Sequence, residues 1–435
     1  MSDMTLDPSS MVKAAQALLR ENDMGVFTKP GPKQYPHQWN WDAALVALGL
    51  SYFDLPRALL EIRSLISGQW LDGMLPHVVY HGTDTDYFPN PEYWRIETSP
   101  NAPQSGTSGI TQPPLLASIV RRIHQHQPIP DFIKEIYPNL LAWHHWLHIQ
   151  RDSDGSGLVS IIHPWESGTD DSPRWLEVMM DIEVPELSEF TRGDTRHVSE
   201  RERPYPHDYQ RFIYLIDFFR QEGYDQAAIL AKSPFLVQDV LFNAILYRAD
   251  GDLMFLGNVI GEDTGIIKGW IRRMREVFNL RFWQEDEGLY CDFNIRHQKT
   301  IRVNTGITFL PLFAGLASEE QADRLLRAHY RHPDHYAVDE QVKYRLTSAS
   351  KRLEGWDPRR YWRGPVWILL NWLVYHGLLS YGYETEAARL RDDALALMSR
   401  SGFREYYDPR DGSGCGSERF SWSAALAIDW INNAQ

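Results

Sequence analysis

Three carboxylates fall within the run His163-Pro164-Trp165-Glu166-Ser167-Gly168-Thr169-Asp170-Asp171-Ser172-Pro173-Arg174-Trp175, between two tryptophans. Acids held beside indole rings suit the cleavage of a carbohydrate. The indole offers an apolar platform to the face of a sugar, and loss of water there keeps one acid protonated near neutral pH. Gly168 admits backbone conformations closed to other residues, and Pro173 drives Ser172 out of the helical region, so a rigid loop is expected here. Without chemistry the same residues would be a solvated acidic turn between two core tryptophans.

A second acidic, aromatic segment lies far along the chain. It reads Gly402-Phe403-Arg404-Glu405-Tyr406-Tyr407-Asp408-Pro409, then the glycine-rich Gly412–Gly416, then Phe420-Ser421-Trp422. Glycoside hydrolysis with inversion needs two carboxyl groups on opposite faces of one sugar ring, roughly 6.5–9.5 Å apart so that water fits between them. Two distant loops meet that need if the fold closes on itself. Glu405 also has a purely structural reading, as a helix cap or as the partner of Arg404 or Arg419.

The elements that must position these loops are mainly helices. Apolar residues recur at helical spacing from Ser10, over Asp42–Ser51, Pro56–Ser67, Pro113–Gln125 and Asp131–Gln150, then over His207–Glu222, Pro234–Arg248, Gly265–Leu280 and Glu319–Tyr330. Pro365–Tyr381, Thr385–Ser399 and Phe420–Asn433 follow, with shorter helices expected at Arg174–Met180 and Thr305–Ala317. Strand alternation is scarce, and Gly288–Phe293 is its best example. Helices and long loops alternate in pairs, with the Gly, Trp and carboxylates in the loops. This predicts an all-α toroid of six helical hairpins, one catalytic domain over residues 1–435. A solenoid would repeat at a tighter period.

Composition agrees with that class. The chain has 435 residues, 16 Trp and 21 Tyr, enough aromatic surface both for a core and for stacking on a flat ligand. A net charge of −14 and no basic stripe make nucleic acid and anionic membranes poor partners. Two cysteines, Cys291 and Cys415, without motif spacing suit a reducing compartment. The first residues lack a basic and then apolar leader, and no apolar run is long enough to span a bilayer. A cytoplasmic protein is expected, its helical surface able to support a homo-oligomer.

The blocks Tyr35-Pro36-His37-Gln38-Trp39-Asn40-Trp41-Asp42, Trp165–Arg174, Arg360-Tyr361-Trp362-Arg363-Gly364-Pro365-Val366-Trp367 and the Glu405 segment, in this order and spacing, resemble glycoside hydrolase family 63. The likeness covers nearly the whole chain and is closest to its compact bacterial branch, the mannosylglycerate and glucosylglycerate hydrolases. It implies an (α/α)6 barrel that hydrolyses α-linked hexosides with inversion; no metal or cofactor is expected. It implies Asp170 as general acid and Glu405 as general base. It also implies a sugar pocket from Tyr35, Trp39, Asp42, Gln112, Trp165, Gly168, Trp362 and Trp367, with Tyr361 beside them in the cavity wall. One departure is Asp171, where many relatives carry Asn. As a like charge it is expected either to raise the Asp170 pKa further or to face solvent.

A glycerate aglycone is an anion, and so acidic a chain must supply a local cation for it. Arg203, in Arg201-Glu202-Arg203-Pro204-Tyr205, is the candidate, with Tyr87 and Tyr209 as hydroxyl donors. A surface ion-pair network around Glu200 and Glu202 explains the same residues equally well. The polar loop His81–Arg95 suits a lid. Other groups rank lower. Asp152–Gly157 lacks the distal Glu of a calcium loop, and His144, His145 and His148 lack a third metal ligand. Ser105–Gly109 has no following Lys for phosphate. Three other readings stay open: an α-glucosidase for another small α-glucoside or oligosaccharide, a sugar epimerase of the same architecture built on His207 and His329, and a carbohydrate-binding protein without activity.

Overall fold

Twelve consecutive residues, Asn40–Ser51, form a helix in which every side chain is buried. A helix apolar all round has no solvent face and belongs inside others. The computed structural model describes residues 7–82, 87–185, 187 and 189–433. Residues 1–6, where a leader would begin, and residues 83–86 of the loop expected as a lid lie outside these.

Asn40–Ser51 packs against Leu116–His126, which packs against Val240–Ile260. The ring continues through Leu310–Ala314 and Ile368–Ser380 to Ser421–Asn432, which returns to Asn40–Ser51. Six inner helices thus close on themselves. Amphipathic helices lie outside them, among them Pro8–Glu21 against Ser421–Asn432, Leu55–Ile66 against Asn40–Ser51 and Glu384–Ser401 against Ile368–Ser380. The fold is the (α/α)6 barrel. Among the described residues, no helix is long and apolar enough to cross a membrane.

Two strand assemblies matter to the loops. Ser160–Ile161, Val237–Gln238, Asp292–Asn294 and Lys299–Ile301 form an antiparallel sheet behind the Trp165 segment. Arg404–Tyr407 pairs with Gly414–Glu418 in a hairpin with an irregular register, and Tyr407 also bridges to Val366.

The expected helices are present with shifted ends, except around residue 234. There the chain forms Gln226–Lys232, then strand Val237–Gln238, and only then the helix Val240–Ile260. Asp239 sets that start by accepting the Phe242 N–H. The expected Glu319–Tyr330 helix ends as a wider turn over Leu326–Tyr330.

Candidate active site

The Asp170 loop leaves the sheet at Ser160–Ile161 and makes two short turns, Pro164–Ser167 and Pro173–Trp175. Between them Gly168 takes φ +68°, and a Cβ there would fall on the ring of Trp41. The loop is therefore neither solvated nor free. Glu166 is fully buried and receives a bidentate pair from Arg151 at 2.7 and 2.8 Å, so it serves structure. Arg174, 1 % exposed, donates to Thr169 Oγ1 at 2.6 Å, to Asp239 and Asp292 at 2.7 Å each, and to Ser172 Oγ at 3.1 Å. It ties the loop to the start of an inner helix.

Among the described residues, the one side-chain hydrogen-bond partner of Asp170 is the Tyr361 hydroxyl, at 3.3 Å. Burial dominates and lifts its carboxyl to about 7, against a smaller downward pull from Tyr361 and Arg203. Asp171 departs from both expectations. It is buried rather than facing solvent, and both its oxygens accept from Arg363 at 2.9 Å. The Arg363 guanidinium, also 3.4 Å from Asp208, neutralises the charge that was expected to act on Asp170.

Glu405 sits in the hairpin, 1 % exposed, and is surrounded by donors. Its Oε1 accepts from the Tyr35 hydroxyl at 2.6 Å and from Arg203 Nη1 at 3.1 Å. Its Oε2 accepts from Arg203 Nη2 at 2.9 Å and from the Ser417 N–H at 2.7 Å. The partners considered from sequence, Arg404 and Arg419, instead face Glu418 and Glu21. Arg203 is 1 % exposed, so the surface network is excluded; Glu202 pairs with Arg359. The cation expected for a ligand thus holds Glu405, and its Nη1 also donates to Tyr35 at 2.8 Å.

Two chambers meet at these acids. The inner one is lined by Tyr35, Trp39, Asp42, Gln112, Gly168, Asp170, Tyr361, Trp362, Trp367 and Glu405, together with Trp41, His77, Phe420 and Trp422. The outer one is lined by Tyr35, Trp39, Tyr87, Trp165, Asp170, Arg203, Tyr209 and Tyr361, with His77, Phe88, Asp194 and Pro204. Every residue expected at the site is in one chamber or both. Asp170 belongs to both, whereas Glu405 faces the inner one.

The inner wall is a stack of rings. Trp362 lies flat on Trp367, centroids 3.9 Å apart, and Trp367 on Tyr406 at 4.5 Å. Gln112 accepts the Trp41 N–H at 3.2 Å. Asp42, in the first turn of Asn40–Ser51, is held well above the usual carboxylate range by burial and then by Glu405. The outer chamber is roofed by Phe190, stacked on Phe88 at 5.2 Å, and by Arg192, over the Tyr209 ring at 4.4 Å. Arg192 is itself paired with Asp194 at 2.6 Å. The Tyr209 hydroxyl donates to Phe88 O at 3.4 Å, and Tyr87 meets Trp39 edge-on at 5.3 Å.

A larger hollow of about 790 Å³ lies beside this roof, lined by Val184, Leu187, Glu189, Phe190, Arg192 and Gln210. Among the described residues that line it, Glu189 is the single acid. His77 was missed by sequence reasoning. Burial pushes its imidazole down to about 3, so it stays neutral, and its ring lies 6.1 Å from that of Trp165. Its Leu-Pro-His surroundings carry no signature, whereas Trp41, Phe420 and Trp422 stand inside the aromatic runs that drew notice. His207 and His329 line neither chamber; His329 is bonded to Asn304 and Glu287. Asp152 and Asp154 are paired with Arg273 and Arg281 in a turn, and His144 and His148 share Asp250.

Comparison with known proteins fits this geometry. Residues 35–423 match the model of the mannosylglycerate hydrolase MGH1-like glycoside hydrolase domain. A mannosylglycerate hydrolase of Thermus thermophilus is 44% identical over 96% of this chain and 100% of its own length. A glucosylglycerate hydrolase of Mycolicibacterium hassiacum is 34% identical over 99% of each. The crystal structure of a family 63 mannosylglycerate hydrolase from Thermus thermophilus, in complex with Tris and D-glycerate, superposes with a TM-score of 0.91 at 42% identity, over 97% of this chain and 99% of that one.

Proposed function

The chain belongs to the MGH1-like glycoside hydrolase family, and from that premise we propose that it hydrolyses an α-linked glycoside of glycerate, 2-O-α-mannosylglycerate or 2-O-α-glucosylglycerate, to hexose and glycerate. The observation that carries this reading is the meeting of two chambers at a carboxyl lifted to about 7. In this reading the hexose fills the inner, ring-walled chamber and the glycerate the outer one. The bond to be broken then lies beside Asp170. That acid still holds its proton near neutral pH and gives it to the departing glycerate oxygen. Glu405, ionised against Arg203, takes a proton from the water that attacks C1. Asp42 and Gln112 meet the sugar hydroxyls.

The aglycone end supports an anion. Arg203, Tyr87 and Tyr209 line the outer chamber, and an Arg fork matches a carboxylate. The relatives named mannosylglycerate and glucosylglycerate hydrolase agree with that choice. A reducing, cytoplasmic setting belongs to the same reading, supported by two buried free thiols, Cys291 and Cys415.

The test is incubation with both glycerate glycosides, with free hexose and glycerate measured enzymatically. Proton NMR in the first turnovers should show the β-anomer first, because water attacks opposite the leaving group. Release of neither hexose, or first appearance of the α-anomer, overturns the substrate or the pairing of acids respectively.

A further inference from the structure

A carboxylate offers about four lone-pair positions, and Glu405 has all four in use. A base so occupied has no position left for a water proton. One donor must leave before it acts. The Ser417 N–H is main chain within the hairpin and cannot turn away. The Tyr35 hydroxyl fills one position, while Arg203 fills two and holds Tyr35 as well. Of these donors only Arg203 is a cation that also lines the outer chamber with Asp170, Tyr87 and Tyr209. Its Nε, moreover, is buried without a hydrogen-bond partner among the described residues.

We propose that Arg203 is a latch on Glu405, which the anionic end of the substrate releases. A carboxylate in the outer chamber competes with Glu405 for the guanidinium. As Arg203 turns to it, at least one Glu405 oxygen is freed toward the inner chamber and the nucleophilic water. After the release Glu405 keeps the Tyr35 hydroxyl and the Ser417 N–H, both neutral donors, and the withdrawal of its cation makes it the stronger base. In the step that follows, the water oxygen bonds to C1 as the C1–O bond to the aglycone breaks. The water proton passes to Glu405, and the Asp170 proton passes to the leaving oxygen. Specificity for an anion then appears in kcat as well as in KM, because the anion switches on the base. The latch rests on the proposed function in requiring an anionic aglycone.

The decisive probe is an α-glycosyl fluoride, which carries no aglycone anion and loses fluoride without needing an acid. Added D-glycerate should raise its turnover by the wild-type enzyme at least tenfold, whereas glycerol should not. In Arg203→Met the activation ratio should fall to one, whatever the basal rate. A second measurement compares kcat at saturation for glycosylglycerate and for the neutral glycosylglycerol, and a kcat at least tenfold higher for the anion is expected. Simple inhibition of fluoride hydrolysis by glycerate, or equal kcat for the two glycosides, overturns the latch while leaving the proposed function standing. Failure to release glycerate from either sugar overturns the proposed function, and the latch with it.

Discussion

Asp171 gives both oxygens to Arg363, whereas its neighbour Asp170 accepts from the Tyr361 hydroxyl and, among the described residues, from no cation. One residue along the chain therefore separates a neutralised structural ion from an acid that burial holds at about 7. In the mechanism proposed above, kcat/KM should fall as pH rises through about 7, as Asp170 loses the proton it must donate. Asp170→Asn should bind substrate yet lose about 10²–10⁴ in kcat and lose that alkaline limb, as read from the pH–rate profile. Retention of the limb would assign the titration to another group. The same burial has a stability consequence. The unfolded chain releases this proton near 3.8 and the folded chain near 7, so between those values the folded state binds more protons. Stability then declines as pH rises, and Asp170→Asn escapes the decline. The Tm of the variant relative to wild type should climb from pH 4 to 7 and level off above it.

Glycine makes both acid-bearing elements possible. At Gly168 the backbone lies in the left-handed region, and the ring of Trp41 occupies the space of a side chain. At Gly416 the φ is +64°, and a Cβ would stand 2.5 Å from Glu405 Oε2. Gly168→Ala should lower stability by about 1–3 kcal/mol through overpacking and strain, and should lower kcat with it as the Asp170 loop shifts. Urea unfolding and steady-state kinetics check the two losses, and unchanged kinetics would mean that Trp41 yields instead. The acidic loops were legible in sequence because Gly, Pro and Trp interrupt helical periodicity at Trp165–Trp175 and again near Glu405. The partners of the acids were not. Arg363 and Arg203 lie far along the chain from Asp171 and Glu405, and a long-range ion pair leaves no spacing to read. The helix expected from Pro234 begins only at Val240, for a related reason. Its apolar residues at 235–237 face the sheet with Asp292–Asn294, and a short buried strand has the same apolar run as a helix turn.

The six inner helices give the barrel its polarity. Asn40–Ser51, Leu116–His126, Ile368–Ser380 and Ser421–Asn432 all present their N-terminal ends to the chambers, where Trp39, Asp42, Gln112, Trp367 and Trp422 are found. Their dipoles place partial positive charge around the inner chamber and Glu405, which suits an anion on one end of so acidic a molecule. The opposite end must then bind cations and close the ring. Asp429, fully buried on the last inner helix, does both. It accepts from Arg122 at 2.8 and 2.9 Å, from Trp372 Nε1 at 2.9 Å and from the Tyr52 hydroxyl at 2.8 Å. Four elements, the first and last of the ring included, meet on one carboxylate. Burial raises its pKa, but Arg122 and the other donors outweigh burial and hold it below the usual 3.8. Asp429→Ala strands the half-buried Arg122 charge and should cost about 3–5 kcal/mol. Because the folded value is the lower one, the Asp429 contribution is complete above about 4 and fades as pH falls through that lower value. The wild-type advantage in urea unfolding should therefore be constant from pH 5 to 7 and shrink below pH 4. An advantage that persisted undiminished into acid would show that Asp429 holds the ring by packing alone rather than by charge.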